Sequence, residues 1–124
     1  MKIAVVDDSP RDLQLIKGYV ERYFKENGGD YQVRTFENGL DFLDEEKLSF
    51  DIVFMEMPHL NGIETARNFR KRDKMAVLVF ITNMAQYAIH GYEVDAIEYM
   101  VKPVEYYNFS DKMEKALRFV KRDQ

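Results

Sequence analysis

Five side chains that could do chemistry each follow a run of apolar residues in this sequence. Two adjacent carboxylates, Asp7 and Asp8, come after Ile-Ala-Val-Val, and Glu56 comes after Ile-Val-Phe-Met. The hydroxyl of Thr82 and the ammonium of Lys102 follow two further apolar runs. Clustered carboxylates repel one another unless a cation sits among them, and an all-oxygen cluster suits magnesium. A lysine and a hydroxyl beside such an ion would suit two oxygens of a phosphoryl group.

The elements that must position these groups follow from the hydrophobic pattern. Apolar runs alternate with segments in which apolar residues recur at helical spacing, which predicts five strands alternating with five helices. The strands are predicted at Ile3–Val6, Tyr31–Phe36, Ile52–Met55 with Glu56 at the end, Met75–Ile81 and Ala96–Val101. The helices are predicted after Ser9 and Pro10 up to Gly28, at 40–43, from Ile63 after an Asn61-Gly62 turn, at 85–92 and at 106–120.

Strict alternation of strands and helices predicts an α/β fold with a parallel sheet and helices on both faces. In such sheets ligands bind beyond the carboxyl ends of the strands. All five chemically capable side chains are therefore expected on one rim.

Composition sets limits on the class of protein. The length of 124 residues and 46% hydrophobic content predict one domain over residues 1–124. A net charge of −4 argues against direct nucleic-acid binding by this chain. The first apolar run is too short for a signal peptide or a membrane span, so we expect a cytoplasmic protein with no membrane association.

The order of motifs resembles the receiver domain of bacterial two-component response regulators, and the resemblance covers essentially the whole chain. The motifs that carry it are Asp7-Asp8, Met57-Pro58 with Asn61-Gly62, Thr82, Tyr99 and Lys102-Pro103. Further segments are similar to receivers that precede LytTR DNA-binding domains, namely Phe80-Ile81-Thr82-Asn83, Tyr87-Ala88 and Tyr92-Glu93-Val94-Asp95-Ala96.

The resemblance implies a flavodoxin-like, CheY-like fold with strand order 2-1-3-4-5. It implies Mg²⁺ held by Asp7, Asp8 and an acceptor Asp on the third strand, which a sensor histidine kinase phosphorylates. Thr82 and Lys102 would contact the phosphoryl group, Tyr99 would turn inward, and the Lys102-Pro103 bond is often cis in this family. It also implies a homodimer through the last two helices and the last strand, and a C-terminal DNA-binding domain that this chain does not include.

The sequence departs from the family at the acceptor. Only Glu56 lies between the apolar run and Met57-Pro58, where the family has an Asp followed by two residues. Counting back from Pro58 places the acceptor position at Phe54, and counting forward from Asp51 places it at Glu56. We adopt the forward count, because Phe54 belongs to the buried run. The following loop is then two residues short, as if Asp-Ile had been lost.

The sequence allows two alternative positions for the Glu56 carboxylate. Its carboxylate could project where a phosphoryl oxygen would sit and hold Thr82 and Lys102, or the short loop could pull it away from the pocket. In either case we expect weakened Mg²⁺ binding with Asp7, Asp8 and Glu56 as ligands. Tyr99 is interpreted as a switch residue, with ordinary core packing as the alternative.

Three functional hypotheses follow. The first is a phosphorelay receiver with an atypical acceptor site, and the second is a degenerate receiver that acts only as a protein-interaction module. The third is a small flavodoxin-like or phosphatase enzyme. Flavodoxins need a Ser/Thr/Gly-rich phosphate loop after the first strand, and phosphatases of the haloacid-dehalogenase type need Asp-x-Asp there. The chain has Asp7-Asp8-Ser9-Pro10 instead, so we expect a protein that is not an enzyme.

Overall fold

A computed structural model describes residues 1–44, 49–56, 60–83 and 94–122. The strands are β1 (Lys2–Val6), β2 (Gln32–Phe36), β3 (Ile52–Glu56), β4 (Val77–Thr82) and β5 (Glu98–Val101). The helices are α1 (Pro10–Asn27), α2 (Gly39–Asp44), α3 (Leu60–Arg72) and α4 (Tyr106–Arg122). The helix predicted at 85–92 lies outside the described residues. Among the described helices, none combines the length and the apolar character that a membrane span requires.

The five strands form one parallel sheet in the order β2-β1-β3-β4-β5. Every residue of β3 and β4 is buried, which accounts for their unbroken apolar sequences. The predicted fold class and strand order are confirmed.

Side chains that alternate along the strands supply two separate cores. In β1, Ile3 and Val5 pack with α1 and α4, whereas Ala4 and Val6 pack with α2 and α3. The alternation follows from the two-residue period of a strand, which sends successive side chains to opposite faces. Both faces of the sheet are therefore covered by helices, as predicted, and the functional side chains are left at its rim.

The first turn of α1 is fixed by its cap and lies directly after β1. Ser9 is the N-cap, and its hydroxyl accepts a hydrogen bond from the Asp12 backbone N–H at 3.3 Å. The C-cap is Gly28, where φ is 77° and the N–H donates to the Phe24 carbonyl at 2.7 Å. The N-cap sets the position of Asp12 relative to the end of β1.

Helix α3 begins earlier than predicted. The expected start at Ile63 and the turn at Asn61-Gly62 were wrong, because both residues belong to the first turn of α3. The first four N–H groups of a helix have no acceptor inside the helix. Asparagine, whose side chain competes for backbone hydrogen bonds, and glycine, which exposes the backbone to water, are therefore tolerated in the first turn. The residues between Glu56 and Leu60 lie outside the described structure.

Close packing of α2 against α3 makes a testable demand on Gly39. A Cβ at Gly39 would lie 2.5 Å from Thr65 Oγ1 and 2.7 Å from Thr65 Cγ2. Rotation of a branched side chain cannot clear both atoms, so we expect Gly39→Ala to lower the free energy of unfolding by about 1–3 kcal/mol. Urea denaturation of the purified variant measures the change.

Gly18, in the middle of α1, provides the matched control. A Cβ at Gly18 would meet nothing within 4 Å. Because alanine favours the helix, Gly18→Ala should raise the free energy of unfolding by about 0.5–1 kcal/mol. A neutral or stabilising Gly39→Ala substitution would contradict the packing that the structure shows.

Candidate functional site

The carboxyl ends of the parallel strands bring four of the predicted side chains to one rim. Asp7 follows β1, Glu56 ends β3, Thr82 ends β4, and Lys102 follows β5. In the sheet register Val6 pairs with Met55, so Asp7 and Glu56 extend neighbouring strands at the same level. Lys102 donates its backbone N–H to the Thr82 carbonyl at 2.8 Å. Asp7, Glu56 and Thr82 are all buried.

The ammonium of Lys102 lies at the centre of this rim. Its Nζ donates to Asp7 Oδ2 at 2.9 Å, to Asp12 Oδ2 at 2.8 Å, and to Glu56 Oε2. The Lys102 side chain is only 9% exposed, and those of Asp7 and Glu56 are 2% and 7% exposed. One buried cation thus neutralises part of a local excess of carboxylates.

Three carboxylates form a cluster that fits a hard cation. Asp7, Asp8 and Glu56 each offer an oxygen, and these oxygens lie within 4.8 Å of one another. Asp7 and Glu56 are buried and Asp8 is exposed, so the cluster opens toward solvent on the side of Asp8. All-oxygen donors of this kind fit Mg²⁺, which keeps several of its waters. When bound, such an ion would offset the combined negative charge of the carboxylates and of a phosphoryl group beside them.

Burial dominates the electrostatics of Glu56. It raises the pKa of Glu56 from 4.5 to about 7, with Asp8 and Asp7 acting in the same direction. The hydrogen bond from Lys102 acts in the opposite direction without outweighing burial.

Hydrogen bonding shifts the pKa values of Lys102 and Asp12 in opposite directions. Burial acts to lower the pKa of Lys102, but hydrogen bonds to Asp12, Glu56 and Asp7 together raise it above its usual range. The hydrogen bond from Lys102, in contrast, lowers the pKa of Asp12. Lys102 is therefore a firmly charged ammonium at neutral pH.

The Glu56 carboxylate is buried and contacts Lys102. This contact is the one that the first of the two alternatives expects with Lys102. Phe54 is fully buried in β3 and pairs with Val5 and Val79, in agreement with the forward count. Glu56 therefore occupies the end of β3 with its charge directed to the rim.

Tyr99 lies on the edge strand β5 and is 41% exposed, so the core-packing alternative was wrong. The adjacent Met100 is the buried one, as the two-residue alternation of a strand requires. The switch interpretation of Tyr99 stays a prediction. The Lys102-Pro103 peptide bond is cis, as the family resemblance implied.

Sequence reasoning missed Asp12. Its side chain is half-buried, and it reaches Lys102 although 90 residues separate the two in sequence. The available signal was a carboxylate in the first turn of a helix that begins directly after the acidic strand end. That spacing places the first turn of α1 above the same rim.

Comparison with known proteins shows the family to which the chain is similar. Residues 3–114 match the family model described as "Response regulator receiver domain". The chain is 34% identical over 94 residues to an uncharacterized response regulatory protein of Vibrio cholerae, covering 73% of this chain and 36% of that protein. It is 25% identical to the positive alginate biosynthesis regulatory protein of Pseudomonas aeruginosa, covering 95% of this chain and 48% of the other.

A third relative is the transcriptional regulatory protein LytR of Staphylococcus aureus, 28% identical over 83% of this chain and 42% of the relative. LytR and the alginate regulator are of the LytTR-associated type that the sequence motifs resemble. The chain spans less than half the length of each of these three relatives.

Solved structures show the same fold. The response regulatory domain of protein mrkE from Klebsiella pneumoniae superposes with a TM-score of 0.84 at 22% identity, covering 98% of this chain and 99% of the other. Response regulator TrrA from Thermotoga maritima, solved in complex with Mg(2+)-BeF, has a TM-score of 0.75 at 30% identity, covering 93% and 97% of the two chains.

Receiver domains are signalling modules of two-component systems that interact with sensor histidine kinases and bind Mg²⁺ in an acidic pocket. In this chain an acidic group of Asp7, Asp8 and Glu56 lies at the carboxyl rim of the sheet. The motif order, the strand order and the family match agree over nearly the whole length. The chain belongs to the family of response regulator receiver domains.

Proposed function

We propose that residues 1–124 form one receiver domain with an atypical acceptor site, in which Glu56 takes the place of the phosphate-accepting Asp. The observation that carries the proposal is the contact between Glu56 and Lys102 at the end of β3. In this proposal Thr82 and Lys102 are the residues that would contact a phosphoryl group, and Tyr99 is the switch. The domain does not form an acyl phosphate at useful rates.

The chemical reason is placement. Attack by a carboxylate needs its oxygen in line with the phosphodonor, and a misplacement of about 1 Å can cost roughly a hundredfold in rate. The Glu56 carboxylate lies one methylene further from the backbone than that of Asp. It is also already paired with the ammonium of Lys102, so it fills space that a phosphoryl oxygen would need.

The same contact favours a second candidate function, a degenerate receiver that acts only as a protein-interaction module. Glu56 would then hold Lys102 permanently in an arrangement that resembles the phosphorylated state. Both candidates keep the receiver fold, and receiver domains are typically signalling modules rather than enzymes.

The test is incubation of the unmodified chain with acetyl phosphate and magnesium. Intact mass spectrometry should show no phosphoryl adduct. Phosphate that maps to Glu56, whether supplied by acetyl phosphate or by a purified histidine kinase, would overturn the proposed account of the site.

Magnesium binding provides an independent prediction. The cluster of Asp7, Asp8 and Glu56 fits Mg²⁺, but the loop that follows Glu56 is two residues shorter than the family pattern. We expect binding at least tenfold weaker than in the chain whose loop length is restored by replacing Glu56 with Asp-Ile-Glu. NMR titration of the backbone signals around Asp8 measures both affinities.

The control for the titration is Asp8→Asn, which removes one carboxylate of the cluster and should abolish the shifts. Equal affinities for the unmodified and restored chains would contradict the prediction.

The proposal extends to partners. The edge strand β5 exposes Tyr99 and Val101, which supports a homodimer through β5, α4 and the helix predicted at 85–92. Analytical ultracentrifugation of Tyr99→Ala against the unmodified chain tests that face, and a dimer unaffected by the substitution would argue against it.

The relatives are more than twice as long as the matched region, which supports a C-terminal DNA-binding domain in the full protein.

A further inference from the structure

The ammonium of Lys102 has no donor to spare. An ammonium group carries three N–H donors, and three carboxylate oxygens accept from Lys102 Nζ. These acceptors belong to Asp7, Asp12 and Glu56. A phosphoryl oxygen can therefore hydrogen-bond to Lys102 only after one carboxylate has released it.

The three carboxylates differ in how much their release would cost. The side chains of Asp7 and Glu56 are 2% and 7% exposed, so either would be left buried without the hydrogen bond that Lys102 supplies. Asp7 is also held by the Ser9 N–H, which donates to its Oδ1 at 2.9 Å.

Asp12 is the carboxylate that can leave. Its side chain is 32% exposed, so water replaces the contact with Lys102 when it breaks. It lies in the first turn of α1, where the partial positive charge of the helix terminus continues to stabilise its charge. Release of Asp12 therefore requires no buried unpaired charge.

We propose that Asp12 is a positioning residue that holds the third donor of Lys102 and keeps Lys102 from contacting a phosphoryl group until Asp12 releases it. The inference rests on the proposed role of Lys102 as the phosphoryl contact. It assigns to α1 a part in the site that lies outside the strand-end motifs. Asp12 thus sets the fraction of molecules in which Lys102 is free to contact a phosphoryl group.

The first test uses the chain in which Asp-Ile-Glu replaces Glu56. Adding Asp12→Ala should raise the initial rate of phosphate uptake from acetyl phosphate about fivefold, the effect of removing one partly exposed ion pair. Asp12→Glu keeps the charge and can still reach Lys102, so it should return the rate close to that of the parent chain. Glu21→Ala, on the same helix and paired with Lys17 at 4.0 Å, controls for the loss of one negative charge.

The second test needs no phosphate and uses the unmodified chain. Hydrogen exchange of the Lys102 ammonium, followed by NMR, should be severalfold faster in Asp12→Ala and unchanged in Glu21→Ala. A purely structural role for Asp12 at the start of α1 would not change this exchange selectively.

The possible results distinguish a failure of the role of Asp12 from a failure of the proposed function. An unchanged or slower rate of phosphate uptake, or unchanged ammonium exchange, would overturn the role of Asp12. Phosphate on Glu56 of the unmodified chain would overturn the proposed function, and the exchange measurement alone would then test the role of Asp12. If the chain with Asp-Ile-Glu in place of Glu56 takes up no phosphate, the exchange measurement is again the test of Asp12.

Discussion

Replacement of Glu56 by Asp-Ile-Glu is expected to convert an inert chain into one that takes up phosphate. The inserted Asp would end β3 with its carboxylate one methylene closer to the backbone, and the loop before Leu60 would regain two residues. Both changes bring a nucleophile toward the in-line position beside Asp7 and Lys102. A misplacement of about 1 Å can cost roughly a hundredfold in reaction rate. We therefore expect the rate of phosphate uptake from acetyl phosphate to rise by at least that factor.

Two matched variants separate the nucleophile from the loop. Replacing Glu56 by Asn-Ile-Glu restores the length without a carboxylate nucleophile and should stay inert. Glu56→Asp restores the nucleophile without the length and should remain far slower than the three-residue replacement. Intact mass and peptide mapping read out all three chains, and an inert Asp-Ile-Glu chain would locate the defect elsewhere among Asp7, Asp8 and Lys102.

Removal of the central cation is expected to have the largest effect on stability. Lys102→Met leaves Asp7 and Glu56 buried and charged without a partner, which should lower the free energy of unfolding by about 3 kcal/mol at pH 8. Lys102 has a pKa above its usual range, so in the parent chain its contribution is fully present at this pH. Urea denaturation in the presence of a chelator measures the difference.

The loss should be smaller at pH 5. The pKa of Glu56 in the folded chain is about 7, above its ordinary value of 4.5, so folding favours the protonated carboxyl as the pH falls through 7. At pH 5 Glu56 is largely neutral and needs no cation, and the cost of Lys102→Met should fall to about 1 kcal/mol.

Lys115→Met is the matched control for removal of a lysine. Lys115 pairs with Glu98 at 3.1 Å and its side chain is 37% exposed, so its loss should cost under about 1 kcal/mol at either pH. A cost for Lys102→Met below that of Lys115→Met, or one independent of pH, would contradict the described charge balance.

The fold was predictable because the spacing at which hydrophobic residues recur can be read from short segments of the sequence. Unbroken apolar runs such as 52–55 are typical of strands covered on both faces, and strict alternation with helices leaves few topologies. The start of α3 was not predictable from the same pattern. Asn61 and Gly62 favour a turn and the first turn of a helix by the same local chemistry, so the sequence offers no signal to choose.

The sequence by itself determined which groups reach the rim, because each of Asp7, Glu56, Thr82 and Lys102 follows an apolar run that ends at the carboxyl edge of the sheet. Only the tertiary structure decided how these groups are paired. Lys102 could face solvent, a phosphoryl group or any nearby carboxylate as far as its sequence position is concerned. The packing of α1 on the sheet brings Asp12 within 2.8 Å of it, and burial removes water as a competing partner. Contacts between residues 90 positions apart depend on packing and burial, which no local pattern encodes.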